Sequence, residues 1–126
     1  MRILLDTNAL MMPAQFRVDL FGELRALLGG YEPLVLEDVV HELEGLARGS
    51  GNDAAAARTG LLMADRCLTV RGRSSAPTVD ERIRAYAMDE GCMVATNDRR
   101  LREHLLAAGV PVITLRNRKK LEIIRR

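Results

Sequence analysis

Short apolar runs of β type alternate along this chain with longer stretches whose apolar residues recur at helical spacing, and no other feature restricts the fold as much. Ile3-Leu4-Leu5, Pro33 to Leu36, Cys67 to Val70, Met93-Val94-Ala95 and Val112 to Leu115 read as strands. Helical spacing joins Val18 to Leu28, Val39 to Leu46, the Ala-rich run from Ala54 to Ala64, Ile83 to Ala87, and Leu101 to Leu106. Strands that are apolar throughout, with helices between them, are covered on both faces, which is the condition of a parallel sheet. The expectation is an α/β fold: a three-layer α/β/α sandwich around a central parallel sheet of about five strands. Gly29-Gly30, Gly49 to Asn52, Gly72 to Pro77 and Gly91 punctuate the elements, and Gly109 with Pro111 behind it reads as a helix stop.

At 126 residues there is room for one core. Residues 1–116 are expected to form the domain. Residues 117–126 read as a basic C-terminal tail with no obvious sheet partner, a final strand or helix being the other reading. The overall charge of +2 conceals an asymmetry: residues 1–98 hold 10 basic and 15 acidic side chains, net −5, whereas residues 99–126 hold 9 basic and 2 acidic, net +7. A basic quarter on an acidic body suggests a polyanionic partner. Cys67 and Cys92 are too far apart for a metal-knuckle spacing and lie among apolar residues, so they read as buried thiols of a reducing compartment. Asp6 interrupts the short apolar N-terminus with no small-residue cleavage site after it. The longest uncharged run, Leu105 to Leu115, contains Pro111 and is shorter than the roughly 18 residues of a spanning helix. A cytoplasmic protein without membrane association is expected. With no Trp and 3% aromatics, an aromatic platform for base stacking is not.

In a parallel sheet, ligands bind at the edge where strands end and the following helices begin. Asp6 follows the first strand, Asp98 follows the strand ending near Ala95-Thr96, Asp80 opens the helix of Ile83 and Tyr86, and Glu42 lies about one turn inside the helix after Leu36. Four acids from four segments therefore converge on one edge. Carboxylates at close quarters raise one another's pKa unless a cation neutralises them. Hard oxygen ligands select Mg²⁺ or Mn²⁺, and such an ion can activate water and stabilise a leaving oxygen in phosphodiester hydrolysis.

Plainer roles compete for each acid. Asp6 can end its strand in an Asx-turn, and Asp98, or Asn97 in its place, can simply cap the next helix. Thr78 and Glu81 read as a capping box, which leaves Asp80 free to point elsewhere. Glu42 sits among Glu37, Asp38 and Glu44, consistent with a solvated acidic face. Other motifs fail: His41-Glu42 is not followed by the second His of a zinc site, and there is no GxGxxG or GxxxxGK[ST] phosphate loop.

The segments DTNAL (6–10), VVHEL (39–43), VDERI (79–83) and ATNDRRL (95–101), in this order and at these separations, resemble the PIN-domain family of metal-dependent nucleases. The resemblance covers nearly the whole chain. It implies an acidic pocket binding Mg²⁺ or Mn²⁺ with Asp6, Glu42, Asp80 and Asp98 as catalytic and metal-holding acids, and Asn8 and Thr96 as polar residues of the same pocket. Asp80-Glu81 stands where many relatives carry two aspartates. The N-terminal stretch and the tail LRNRKKLEI look most like the archaeal and eukaryotic rRNA-processing branch, with VapC-type toxins as the neighbouring branch. The expectation is thus a metal-dependent endoribonuclease acting on rRNA or its precursor. Arg99, Arg100, Arg102, Arg116, Arg118, Lys119 and Lys120 would hold the RNA backbone. The alternatives are a toxin with an antitoxin partner and a non-catalytic RNA-binding assembly factor. A homodimer is expected from the family. A phosphoacceptor domain is disfavoured, because DTNAL lacks the second Asp of a DxD nucleophile motif.

Overall fold

The computed structural model describes residues 1–126. In chain order the elements are β1 (Arg2–Leu5), α1 (Thr7–Phe16), α2 (Leu20–Leu28), β2 (Glu32–Leu36), α3 (Glu37–Ala47), α4 (Asn52–Ala64), β3 (Leu68–Val70), α5 (Val79–Glu90), β4 (Met93–Ala95), α6 (Arg99–Ala107), β5 (Val112–Arg116) and β6 (Lys120–Ile124). The strands form one sheet in the order β3-β2-β1-β4-β5-β6. All neighbours are parallel except β5 and β6, which pair antiparallel.

The α/β expectation is therefore realised, with one strand more than the five read from the sequence. The extra strand falls in residues 117–126, so the segment expected as a tail is in large part the sheet's last strand. Arg116 pairs with Lys120 across a turn in which Asn117 and Arg118 adopt φ of 53° and 58°. Such left-handed turn geometry matches the twist of a tight hairpin. Leu121 is buried against the core, and β6 packs against α2, which gives this edge its stability.

Strand β1 is central, and Ile3, Leu4 and Leu5 are wholly buried, as strands with helices on both faces require. Helix α1 was not evident as a helix. Its apolar residues Ala9 to Met12 run without helical period, and Pro13 stands inside it, where a proline is ordinarily unfavourable. Its N-terminus is strong nonetheless, because Asp6 caps it. Helices α1, α3 and α4 pack closely on one another. Gly60 of α4 permits this: a Cβ there would lie 3.0 Å from a methyl of Leu43 and 3.4 Å from the Leu10 carbonyl oxygen. No helix is long and apolar enough to cross a membrane. The thiols are free; Cys92 is buried and Cys67 half-buried, with burial pushing the Cys67 thiol up to about 12.

A branched side chain at Gly60 would force α4 away from α1 and α3. Gly60→Val is expected to lower the unfolding free energy by about 2 kcal/mol, within the usual range for overpacking, as measured by urea denaturation.

Candidate active site

The register of the sheet assembles the first half of the site. Leu5 pairs with Ala95, so the next residues, Asp6 and Thr96, stand side by side where β1 and β4 end. Asp6 is only 4% exposed. Its Oδ1 accepts the Ala9 N–H at 2.7 Å, capping α1, and its Oδ2 accepts the Thr96 hydroxyl. The same Thr96 oxygen accepts the Asp98 N–H at 3.0 Å. Asp98 in turn caps α6 by accepting the Leu101 N–H at 3.1 Å. One fully buried threonine thus fastens two acidic segments together. The plain readings of Asp6 and Asp98 as helix caps hold, and they are what aims both carboxylates at the same edge.

The second half comes from α3 and α5. Glu42 accepts a hydrogen bond from the Thr7 hydroxyl, which ties α3 to the first turn of α1. Thr78 caps α5 by accepting the Glu81 N–H at 3.1 Å. Glu81 itself makes no return bond and is exposed, so only half of the expected capping box forms. Asp80 is the residue that lines the cleft. Arg82 secures this helix: it donates to Asp38 of α3 at 3.0 Å and to the Ala76 carbonyl at 2.7 Å.

Asp6, Glu42, Asp80 and Asp98 line a single cleft of about 460 Å³, together with Asn8. Thr7, Gln15 and Asp53 also line it, and none of these three was singled out from the sequence. Thr7 is adjacent to Asp6, but its partner Glu42 is 35 residues away, a pairing no local pattern reveals. Asp53 falls between the breaker that ends at Asn52 and the helical run that begins at Ala54, and it reaches the cleft because α4 packs on α1. Thr96 does not face the cleft; it sits behind Asp6.

The cleft carries concentrated negative charge. Burial pushes the Asp6 carboxyl up from 3.8 to about 7, the hydrogen bonds from Thr96 and Ala9 oppose that rise, and the charges of Asp80 and Asp98 add to it. Asp80 is also raised, first by burial and then by Asp98 and Glu42, while His104 and Arg100 pull it down. None of the five ion pairs of the chain involves Asp6, Glu42, Asp80 or Asp98. The donors are all hard carboxylate oxygens with no salt-bridging protein cation, so the residues fit a hard divalent cation such as Mg²⁺ or Mn²⁺. They are spread around the cleft, and no three of them are already drawn together to clasp one ion.

The expected RNA-holding residues divide. Arg99 and Arg100 are exposed in the first turn of α6, directly after Asp98, and Arg102 is half-buried on the same helix. Arg116 pairs with Glu122 at 3.6 Å across the β5–β6 hairpin. Arg118 lies 5.6 Å over the ring of Phe16, the neighbour of cleft-lining Gln15. Lys119 and Lys120 are exposed.

Residues 3–118 match the model of the PIN-like domain family. The chain belongs to that family. A ribonuclease VapC4 of Methanocaldococcus jannaschii is 32% identical over 97% of this chain and 95% of its own length. A ribonuclease VapC9 of Archaeoglobus fulgidus is 31% identical over 92% of this chain and 84% of its own. Among solved structures, the PIN domain endonuclease Utp24 superposes with a TM-score of 0.79 at 26% identity, covering 99% of this chain and 92% of that one. VapBC2 from Rickettsia felis, bound to a DNA fragment from its promoter, gives 0.69 at 14% identity, with 92% of this chain and 100% of that chain covered, a likeness of fold.

The raised Asp6 makes metal-free stability depend on pH with a definite sign. Between about pH 4 and pH 7 the folded PIN domain holds a proton that the unfolded chain has released, so stability falls as pH rises through this window. In EDTA, Tm is expected to drop between pH 5 and pH 8, most of it below pH 7, with a loss of stability of about 3 kcal/mol at about 1.4 kcal/mol per unit over the roughly two units of the window that are crossed. Asp6→Asn is expected to flatten the profile, and calorimetry across pH checks it.

Proposed function

We propose that this PIN domain is a divalent-metal-dependent endoribonuclease. The observation that carries the reading is the convergence of Asp6, Glu42, Asp80 and Asp98, from four separate segments, on one cleft where none of them forms a salt bridge. These four acids would hold Mg²⁺ or Mn²⁺, which supplies activation of the attacking water and stabilisation of charge at the phosphodiester. The chain's own residues do the rest. Thr96 holds Asp6 in orientation, and the caps of α1 and α6 immobilise Asp6 and Asp98, so the negative pocket is built before substrate arrives. Asn8 adds a polar wall. Arg99 and Arg100, next to Asp98 in the chain, meet the phosphates that flank the scissile one. Lys119, Lys120 and Arg118 extend that cationic surface along the hairpin, with Arg102 and Arg116 as further contacts.

Within this reading, the proposed substrate is rRNA or its precursor. The resemblance of the N-terminal stretch and of the tail LRNRKKLEI to the rRNA-processing branch supports it, and the match to the PIN domain endonuclease Utp24 over 99% of the chain agrees with an endonuclease. The second reading is a toxin ribonuclease neutralised by an antitoxin protein, favoured by the two relatives named ribonuclease VapC. In either case a homodimer is proposed. Expression in the native host separates the two. A processing factor causes precursor rRNA to accumulate when depleted, whereas a toxin arrests growth when produced without its partner.

Asp98→Asn keeps an oxygen to cap α6 while removing the charge. It is expected to reduce Mn²⁺-dependent cleavage of single-stranded and structured RNA by about 10²–10³-fold, the scale on which loss of one charge-stabilising group acts. EDTA should abolish wild-type cleavage. Equal cleavage by wild type and variant would remove the catalytic assignment. Failure of both with RNA binding retained would favour an assembly factor.

For the cationic surface, changing Arg99 and Arg100 together to Ala is expected to reduce the slope of log K against log salt by about 1.4, at roughly 0.7 per lost single-strand contact. Filter binding in EDTA from low to high salt measures it.

A further inference from the structure

On the opposite edge of the sheet from the acids, where β2 and β3 begin, lies a second polar pocket of about 410 Å³. Arg25 and Phe21 of α2, Asp19 before it, Tyr31 and Pro33 at the start of β2, and Arg66 ahead of β3 line it. The guanidinium of Arg66 stands 4.2 Å above the ring of Phe21. Phe21 is buried, so it is a fixed base for the guanidinium above it. Neither Arg66 nor Arg25 takes part in an ion pair. The Tyr31 hydroxyl donates to the Phe21 carbonyl at 3.1 Å, which closes the floor. Asp19 Oδ1 accepts the Gly22 N–H at 3.1 Å, leaving its other oxygen as an acceptor at the wall.

A guanidinium centred over an aromatic ring can offer its outer face to a further planar group, and RNA-binding proteins stack unpaired bases on arginine planes as they do on aromatic rings. A low aromatic content argued against a stacking platform, but an arginine can serve as one when a ring supports it. We propose that this pocket is a nucleotide subsite for single-stranded RNA, in which a base stacks on Arg66 and the adjoining phosphate meets Arg25. Asp19 accepts from an exocyclic amino group of the base, so an amino-bearing base fits best. The subsite rests on the reading of RNA as the substrate. It lies a full strand length from the acidic cleft, so it engages a part of the strand outside the scissile position.

The test is a titration of the full chain in EDTA with adenosine monophosphate, followed by NMR, beside inorganic phosphate and adenosine alone. The nucleotide is expected to shift the Gly22, Arg25 and Tyr31 resonances. Arg66→Ala and Arg66→Lys should each weaken binding at least about 5-fold, the lower end for loss of one base stack. Arg48→Ala, an exposed arginine elsewhere, should leave it unchanged. Thermal melts confirm that each variant folds, and Arg66→Lys preserves the charge and the stem where the alanine variant does not fold. Equal affinity of Arg66→Lys and wild type would overturn the stacking role. Equal response to inorganic phosphate would reduce the pocket to a plain anion site, and no response to the nucleotide would remove it. Because nothing is cleaved in EDTA, nucleotide binding that persists while RNA survives incubation with Mn²⁺ would sink the ribonuclease reading and leave this one standing.

Discussion

A carboxylate buried at the end of the central strand is the constraint on which the rest of this structure turns. Burying an ionised group without partners is among the least favourable events in folding. Asp6 is tolerated because the Ala9 N–H and the Thr96 hydroxyl both donate to it. Those two bonds reach into the first turn of α1 and the end of β4, so satisfying one side chain fixes a helix start and a strand register together. They do not satisfy it completely, since burial and the nearby Asp80 and Asp98 still hold its carboxyl up near 7. A proton or a cation in the cleft would relieve the residual electrostatic strain, and only the cation would keep the carboxylate fully ionised at neutral pH.

The capping roles and the site roles of these acids are parts of one device. A cap fixes a side chain relative to a rigid helix, which is the precision that a metal-holding or substrate-holding group needs. Asp98 and Asp6 each spend one oxygen on a helix and keep lone pairs toward the cleft. Glu42 and Asp80, which cap nothing, are secured by neighbours instead: Glu42 by Thr7, and the helices that carry both acids by the bond from Arg82 to Asp38. Thr7, which no local pattern reveals, is what fastens Glu42, one of the less constrained acids.

This difference marks what could be read from the chain. The convergence of the four acids was legible because Asp6, Asp80 and Asp98 sit at a recognisable strand end or helix start, with Glu42 about one turn inside α3, and a parallel sheet sends such junctions to one edge. The five parallel strands were legible because their apolar runs are continuous. Helix α1 was not, because Pro13 and an unbroken apolar run hide its period, and its formation depends on the Asp6 cap and on packing against α4. Strand β6 was obscured because Arg116 to Lys120 carry charge into its first position and only Leu121 is fully buried; what stabilises it is pairing with β5. Thr7 and Asp53 needed the tertiary fold itself, since Thr7 bonds to Glu42 of another helix and Asp53 lines the cleft from α4.

The distribution of charge then follows a simple accounting. The C-terminal quarter holds 9 basic and 2 acidic residues, and both of those acids, Glu103 and Glu122, pair with arginines of the same quarter. Arg126 and Arg116 are thereby occupied by partners at the surface, where such pairs contribute little to stability. Seven cations remain without an ion pair: Arg99, Arg100, Arg102, Arg118, Lys119, Lys120 and Arg125. Arg99 and Arg100 begin in the chain next to Asp98, and β5 ends at the same edge of the sheet as β1, which carries the hairpin cations to the acidic side. A polyanion would be repelled by the cleft alone, since four carboxylates face it. On the proposed reading, a cation in the cleft and the basic residues beside it would turn that repulsion into a local preference for phosphate.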